Sequence, residues 1–269
     1  MRMEHRKHQL LSLIIPVYKQ EKSIQKNLRA ILGELELLSY SYEVIVVIDG
    51  QVDGSRQESD KVKSPFLRVT GYRTNHGKGY AVRYGIAQSK GNIIGFLDSG
   101  GDIHADGLAM MLAHYHWYNA DIIVGSKRHP VSKIRYPKER KLLSWGYQII
   151  IKFLFGLNIR DSQVGMKLFR REVLEDVLPR LLVKQFAFDI EILAVANHLG
   201  YTRIFEAPVE LNFTGASSIT NTNFLTVVYK TLWDTLAVFY RLRILHYYDN
   251  INKRKWRFDP ELNFRINTG

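Results

Sequence analysis

An apolar run in the middle of the chain is followed by two acidic residues, one on each side of a glycine pair. The run Ile93-Ile94-Gly95-Phe96-Leu97 is typical of a buried strand, and Asp98-Ser99-Gly100-Gly101-Asp102 comes directly after it. Mg²⁺ takes oxygen ligands and often shares them with a bound phosphate. Two carboxylates at the carboxyl end of a strand therefore predict a place for a metal and a diphosphate. The plainer interpretation is a surface loop with two solvated acids.

Polar residues also follow the other predicted strands. Strand patterns at 11–15, 43–48, 67–72 and 121–126 alternate with helical patterns at 21–38, 79–87 and 105–118. This alternation predicts an α/β fold with a doubly wound, mostly parallel sheet and helices on both faces. Ligands of such sheets bind at the carboxyl ends of the strands. The sequence places there Tyr18 and Glu21, Asp49 and Asp53, Gly77-Lys78-Gly79, Asp98 and Asp102, and Lys127 and Arg128.

Composition limits the class of protein. The 269 residues include no cysteine, which excludes disulfides, a thiol nucleophile and thiolate-bound zinc. The formal net charge of +12 favours anionic partners, namely nucleic acid, anionic lipid or phosphorylated substrates. We expect no signal peptide and no membrane-spanning segment, because no apolar run reaches 18 residues.

A basic segment precedes an aromatic one in the second half of the chain. Residues 127–141 carry seven lysines and arginines against one acid, and residues 142–157 contain Trp145, Tyr147, Phe153 and Phe155. A solvated basic loop before a buried helix is the plain interpretation. The combination also predicts a membrane-surface helix, and we favour that interpretation.

The remaining polar motifs lie further along the chain. Gln163 and Lys167 belong to the stretch 161–170, and Asp189 begins a predicted helix that extends through 199. A final strand is predicted at 204–212, and Phe224, Val228, Leu232, Leu236 and Phe239 predict one face of a C-terminal helix. We divide the chain into a domain at 1–220 and a C-terminal amphipathic helix with a basic tail at 221–269, packed on or beside that domain.

In this order and spacing, the motifs resemble those of family 2 glycosyltransferases with the GT-A fold, and most closely the polyprenyl- and dolichyl-phosphate sugar synthases. The resemblance extends from about residue 11 to about residue 240. It rests on Ile15-Pro16-Val17-Tyr18, the stretch 43–55, Asn75-His76-Gly77-Lys78-Gly79 and the residues to 83, Phe96-Leu97-Asp98, Gly125-Ser126-Lys127, Arg140 with Ser144, the stretch 161–169, and Phe188-Asp189-Ile190-Glu191.

The resemblance implies a role for each matching residue. Pro16, Tyr18, Glu21, Asp49 and Lys78 would line the nucleotide-sugar pocket. Mg²⁺ or Mn²⁺ would be bound by Asp98, which belongs to the family's Asp-x-Asp motif. The acceptor lipid phosphate would contact Lys127, Arg140 and Ser144. Asp98, Gln163, Lys167 and Asp189 would form the reaction centre.

The chain departs from the family pattern at several positions. Gly100 stands in place of the second Asp of the metal motif, and Asp102 is expected to substitute as a ligand, directly or through water. Lys19-Gln20 replaces the usual Asn-Glu, and Ile48 replaces the first acid of the pair after the second strand. We also expect no C-terminal pair of membrane-spanning segments, unlike in many members of the family.

These features predict an inverting hexosyltransferase at the cytoplasmic face of a membrane. A nucleotide-diphosphate sugar would be the donor, with UDP-glucose favoured, and a polyprenyl phosphate the acceptor. An ionised phosphate can attack the anomeric carbon without a strong base. A hydroxyl acceptor would need a general base, and Asp189 is the candidate for it. An enzyme with a glycan or other hydroxyl acceptor is therefore one alternative. An inactive basic protein that binds a membrane or a nucleotide is the other, and we expect no nucleic-acid partner because no recognition motif is present.

Overall fold

The computed structural model of the chain describes residues 9–101, 105–135, 138–185, 187–212, 224–249, 251, 256–259 and 264–267. Side chains are described in most of these ranges, but not at 133–135, 138–144, 211–212, 224–225, 227, 256–259 and 264–267.

A seven-stranded sheet forms the centre of the molecule, with strand order β3-β2-β1-β4-β7-β5-β8. Its members are β1 (Leu10–Val17), β2 (Ser41–Asp49), β3 (Leu67–Tyr72), β4 (Ile93–Leu97), β5 (Ile122–Ser126), β7 (Met166–Arg170) and β8 (Ile204–Pro208). Every neighbouring pair is parallel except the two that β7 makes with β4 and β5. Two small sheets pair β6 (Lys133–Arg135) with β9 (Glu210–Asn212) and β10 (Trp256–Asp259) with β11 (Phe264–Asn267).

Helices cover both faces of the large sheet. They are α1 (Ile24–Glu36), α2 (Ser55–Asp60), α3 (Lys78–Ala87), α4 (Gly107–Trp117), α5 (Lys138–Phe155), α6 (Arg171–Val177), α7 (Phe188–His198) and α8 (Phe224–Arg243). Successive residues of β1 point to opposite faces. Leu13 therefore packs with α1 and α4, while Ile14 packs in the cluster that contains residues of α3, α5, α7 and α8. The predicted α/β architecture, mostly parallel with helices on both faces, is confirmed.

Several predicted elements differ from those observed. Met166–Arg170 forms a strand that the sequence analysis did not assign, and the single strand expected at 204–212 is two strands in different sheets. The basic segment is not all loop, because β6 and the first turn of α5 lie within it. Pro16 lies inside β1 and does not end it.

The C-terminal helix α8 packs on α5 and α7. The Tyr147 hydroxyl of α5 is 2.8 Å from Thr235 Oγ1 of α8, and Arg241 Nη1 is 3.9 Å from Glu191 Oε1 of α7. The predicted helical face was wrong at Leu236, which is half-exposed, since Thr235, Val238 and Leu242 are the buried positions. The predicted domain boundary at 220 falls in 213–223, outside the described residues, so the two-part division stays a prediction.

Within the described ranges, no helix combines the length and the apolar character that crossing a bilayer requires.

Two helical glycines give a matched test of the packing between helix and sheet. A Cβ on Gly85 of α3 would overlap Ile14 Cγ2 and lie 3.0 Å from Val47 Cγ2, whereas a Cβ on Gly33 of α1 would meet no described atom within 4 Å. We expect Gly85→Ala to lower the free energy of unfolding by about 1–3 kcal/mol through overpacking. Gly33→Ala should raise it by about 0.5–1 kcal/mol, because alanine is the better helix former. Urea unfolding of both variants checks this, and equal stabilisation of the two would contradict the close packing of α3.

Candidate functional site

Four charged side chains from four separate elements meet at one edge of the sheet. Asp98 directly follows β4, Lys167 lies on β7, Lys78 opens α3 and Asp189 is in the first turn of α7. Carboxyl ends of parallel strands and amino ends of the following helices come together at this edge in a doubly wound sheet. The fold therefore brings together residues that are up to 111 positions apart in sequence.

The four side chains form a continuous network of ion pairs. Lys167 Nζ lies 2.6 Å from Asp189 Oδ1, and Lys78 Nζ lies 3.0 Å from Asp189 Oδ2. Lys78 Nζ also lies 2.9 Å from Asp98 Oδ1 and thus bridges the two carboxylates. Lys167 is fully buried and the Asp189 side chain is 3% exposed, whereas the Asp98 side chain is 43% exposed. We name these residues the charge cluster; its closed end is Lys167 and Asp189, and its open end is Asp98.

The protonation of the charge cluster follows from its geometry. Burial raises the pKa of Asp189, but Lys167 and Lys78 outweigh burial and hold the pKa of that carboxyl below its usual value. Burial lowers the pKa of Lys78, but Asp189 and Asp98 together raise it above the ordinary lysine value. For Lys167, burial prevails and lowers the pKa, against the attraction of Asp189. Both oxygens of Asp189 accept hydrogen bonds from lysines, so this carboxylate is a weak base.

Asp49 fixes the turn that carries Lys78. Its carboxylate accepts hydrogen bonds from the backbone N–H of His76 at 2.8 Å and of Gly77 at 3.0 Å, and from the side-chain amide of Asn75 at 2.9 Å. Gly77 has φ +98°, a conformation that favours glycine. The Gly79 N–H donates to the Lys184 carbonyl at 2.9 Å, which ties the turn to the loop before α7. Asp49 thus has its oxygens occupied by the turn.

Gly165 leaves room for the Asp98 side chain. A Cβ at this position would overlap the Asp98 carboxylate, and the Gly165 carbonyl accepts the Asp98 N–H at 2.8 Å. Gly165 belongs to the motif at 161–169, but no role was predicted for it. Its close approach to Asp98 is visible only when β4 and β7 are paired.

A second polar group lies beside the charge cluster. The buried Asp161 carboxylate accepts the backbone N–H of Lys127 at 3.2 Å and of Gln163 at 3.2 Å, and Lys127 Nζ is 3.7 Å from Asp161 Oδ2. Gln163 Nε2 is buried and has no hydrogen-bond partner among the described residues. An unmatched buried donor of this kind is suited to an incoming ligand oxygen. Asp161 is a residue whose positioning role was not predicted, although its acid-Ser-Gln motif was noted.

The other predicted site residues occupy different positions. Pro16 is buried inside β1, whose last residue is Val17. Tyr18 follows the strand and is half-buried, with its ring centroid 5.2 Å from Lys19 Nζ. Glu21 is exposed, and its carboxylate accepts the Gly54 N–H at 3.2 Å. Asp102 lies outside the described residues, as do the side chains of Arg140 and Ser144. The roles predicted for all these residues stay predictions.

The metal-binding capacity of the site can be judged from its donor atoms. No group of three side chains suited to a metal ion occurs in the part of the chain that the structure describes. Of the two carboxylates in the charge cluster, Asp98 is the half-exposed one. Mg²⁺ is often held by one or two carboxylates, with phosphate and water oxygens as its other ligands. Asp98 therefore fits an ion that arrives with a diphosphate.

The family of the chain follows from comparison with known proteins. Residues 12–178 match the family model described as Glycosyl transferase family 2, which is more than half of the chain. The chain belongs to glycosyltransferase family 2.

The chain is similar to curated proteins of this family. It is 30% identical to a dolichyl-phosphate beta-glucosyltransferase of Dictyostelium discoideum over 76% of this chain and 66% of that protein. It is 31% identical to the Homo sapiens dolichyl-phosphate beta-glucosyltransferase over 76% of this chain and 67% of that protein. The chain thus spans about two thirds of the length of these relatives.

Solved structures confirm the fold. Glucosyl-3-phosphoglycerate synthase of Mycobacterium tuberculosis, in a complex with Mn²⁺ and uridine-diphosphate-glucose, superimposes with a TM-score of 0.66 at 17% identity, covering 88% of this chain and 82% of that one. The same enzyme has been solved with Mg²⁺ and uridine-diphosphate, with a TM-score of 0.63. The expected GT-A architecture is the one these structures share.

The buried pair of Asp189 and Lys167 makes a prediction about stability. Asp189→Asn leaves the Lys167 ammonium buried without its counter-charge, so we expect the free energy of unfolding at neutral pH to fall by about 3–5 kcal/mol. Asp60→Asn, which breaks the exposed pair with Arg56 at 3.2 Å, should cost less than about 1 kcal/mol. Denaturant unfolding of the two variants provides the comparison, and equal losses would mean that the charge cluster is not structurally important.

The same variant has a defined pH dependence. Because the pKa of Asp189 is lowered in the folded state, its stabilising contribution is complete above the unfolded value of about 3.9 and is lost as the pH falls through the folded value. The stability difference between the unmodified chain and Asp189→Asn should therefore shrink as the pH falls below about pH 4. A difference that shrinks near neutral pH would mean that the Asp189 pKa is raised.

Proposed function

We propose that this chain transfers a hexose, with glucose favoured, from a UDP-sugar to a polyprenyl phosphate at a membrane surface. Its relatives are dolichyl-phosphate beta-glucosyltransferases by name, at 30–31% identity. The proposal depends mainly on the charge cluster, which has one partly exposed carboxylate and one bridging lysine at the carboxyl edge of the sheet.

The charge cluster is suited to a diphosphate donor. The Lys78 ammonium lies at the amino end of α3, and both this charge and the helix dipole attract phosphate oxygens. In the structure the ammonium contacts Asp98 and Asp189. With a donor, Lys78 would contact the diphosphate and balance the charge that grows on the leaving group.

A divalent ion is part of this proposal. Asp98 would bind Mg²⁺ or Mn²⁺ together with oxygens of the diphosphate, and Asp102 is the second ligand that the sequence predicts. When bound, such an ion stabilises the negative charge of the departing nucleotide diphosphate.

The electrostatics of Asp189 favour a phosphate acceptor over a hydroxyl acceptor. A general base works best with a pKa near the working pH, but Lys167 and Lys78 hold the Asp189 carboxylate in its ionised, weakly basic form. A lipid phosphate monoester needs no base, because its second pKa is about 6. Asp189 then positions the two lysines and does not remove a proton.

The reaction is a single displacement at the anomeric carbon. A phosphate oxygen of the acceptor forms a bond to that carbon while the bond to the diphosphate oxygen breaks, so the configuration inverts and the nucleoside diphosphate leaves. Lys127, beside Asp161, would hold the acceptor phosphate, with Arg140 and Ser144 as its predicted partners. The unmatched Gln163 Nε2 would donate to an oxygen of the sugar or of the acceptor.

Exposed apolar residues on two packed helices support a membrane location. On α5, Trp145, Ile149 and Phe153 are 59%, 49% and 88% exposed and recur at four-residue spacing. On α8, Tyr229, Trp233, Leu236 and Tyr240 form a second exposed stripe. Aromatic and aliphatic residues beside basic ones are typical of helices that lie in a membrane interface. We place these stripes against the cytoplasmic face of the membrane.

A transfer assay tests the proposal. The purified chain is incubated with labelled UDP-glucose or GDP-mannose, a short polyprenyl phosphate, and Mg²⁺, Mn²⁺ or no metal. We expect metal-dependent transfer from UDP-glucose, reduced by about 10²–10³-fold in Asp98→Asn because the leaving group loses its electrostatic support. Arg140→Ala should abolish transfer, because it removes a predicted contact to the acceptor phosphate.

A matched pair of lysine variants locates the acceptor site. Lys127→Met should raise KM for the polyprenyl phosphate, and Lys61→Met, at an exposed surface position, should not. Transfer to a glycan hydroxyl with none to the lipid phosphate would contradict the proposed acceptor. No binding of any nucleotide sugar would favour the inactive binding protein.

A further inference from the structure

A cleft beneath α5 is lined by residues that have no role in the proposed reaction. It has a volume of about 670 Å³ and is bordered by α5, by the loop after β5, by the segment before β7 and by β8. In the strand order, β8 is three strands away from β4, which leads to Asp98. At about 4.8 Å per strand this separates the two strands by about 14 Å.

The lining of this cleft is cationic. Arg128, Lys152 and Arg160 contribute three cations, and Glu206 is the one acid among the lining residues. Glu206 Oε1 already accepts the backbone N–H of Arg160 at 2.8 Å and of Asp161 at 3.0 Å. His129 also lines the cleft; burial lowers the pKa of its imidazole, so it is neutral near pH 7. The surplus of positive charge favours an anion, and arginine is well suited to phosphate.

The cleft also contains an unmatched buried polar group. The Gln148 side chain is 94% buried, its Nε2 donates to Ser162 Oγ at 2.9 Å, and its Oε1 has no partner among the described residues. A buried acceptor without a donor is costly unless a ligand or water satisfies it. A ligand that carries both a phosphate and a hydroxyl group would satisfy the cations and Gln148 together.

The rim of the cleft indicates that this ligand is a lipid. Trp145 and Ile149 line the cleft and are also exposed on the apolar stripe of α5. A head group held by the cations would therefore have its acyl chains beside apolar side chains, on the surface that faces the membrane in the proposed function. A soluble phosphate ester would leave that rim exposed to water.

We propose that this cleft binds the head group of an anionic phospholipid that carries a hydroxyl group, such as a phosphoglycerol lipid, through residues that differ from those of the charge cluster and from the predicted acceptor residues Lys127, Arg140 and Ser144. Arg128, Lys152 and Arg160 contact the phosphate, and Gln148 Oε1 accepts a head-group hydroxyl. The site anchors α5 in the interface and so orients this helix, which carries the predicted acceptor residues Arg140 and Ser144. This inference rests on the membrane location in the proposed function.

Calorimetric titration with a soluble short-chain phosphatidylglycerol, without donor or acceptor, tests the site directly. The Lys152→Gln/Arg160→Gln variant changes two exposed residues and should weaken binding by about tenfold, since two charge-assisted contacts are lost. Lys61→Gln/Lys63→Gln makes the same change of charge beside the opposite edge strand β3 and should bind the lipid like the unmodified chain. If both variants bind the lipid equally weakly, the lipid is attracted by the overall positive charge of the protein and not by this cleft, and the proposal is overturned.

Three further titrations identify the ligand. Short-chain phosphatidylcholine, which lacks both net charge and hydroxyl, should bind much more weakly. Glycerol phosphate binding as tightly as the lipid would show a site for a soluble ester and would contradict the lipid assignment. A short polyprenyl phosphate should bind equally well to Lys152→Gln/Arg160→Gln and to the unmodified chain. Loss of that binding would assign the cleft to the acceptor.

The outcomes separate this inference from the proposed function. Lipid binding that depends on Lys152 and Arg160 would support the cleft even in a chain without transferase activity. Transfer to a detergent-solubilised polyprenyl phosphate should be unchanged in Lys152→Gln/Arg160→Gln, because neither residue belongs to the charge cluster. Normal transfer with no binding of phosphatidylglycerol would overturn the inference and leave the proposed function standing.

Discussion

The pairing of Asp189 with Lys167 is the constraint on which the site depends. Two opposite charges almost without solvent contact must remain together, because separating them would leave an uncompensated charge in the interior. Their contact fixes the start of α7 against β7. Lys78 then reaches Asp189 only from the turn that Asp49 holds in place, and Asp98 completes the charge cluster at the solvent-facing end. The site is therefore rigid at its closed end, with exchangeable contacts at its open end.

The helix α7 links this site to the C-terminal part of the chain. Two residues after Asp189, the buried Glu191 accepts the backbone N–H groups of Leu182 and Val183 and the hydroxyl of Tyr248. Burial raises the pKa of Glu191, and these hydrogen bonds oppose that rise. One helix therefore positions the charge cluster, the loop that contacts Gly79 and the segment after α8. Through the contact of Glu191 with Arg241, the helix α8 and its exposed apolar stripe are joined to the same helix.

The sequence predicted those parts of the fold that depend on local pattern. The alternation of apolar runs and helical spacing predicted the parallel strands, and it placed Lys78 and Asp98 at one sheet edge. The place of Asp189 in the same site was implied only by the family resemblance. The strand β7 was not predicted, because its five residues include two lysine or arginine side chains and it is stabilised by pairing with β4 and β5, distant in sequence. The contact of Gly165 with Asp98 depends on that same pairing. Asp49 was predicted to line the nucleotide pocket, and only the folded chain shows that its oxygens bind the turn before α3.

A crystal structure of the chain with UDP-glucose and Mn²⁺ would show whether the charge cluster is the donor site. We expect the diphosphate at the open end of the charge cluster, with Lys78 Nζ moved from Asp98 to a phosphate oxygen. Lys167 and Asp189 should keep their contact of 2.6 Å. A nucleotide bound elsewhere, with Lys78 still bridging Asp98 and Asp189, would contradict the assignment of the charge cluster as the donor site.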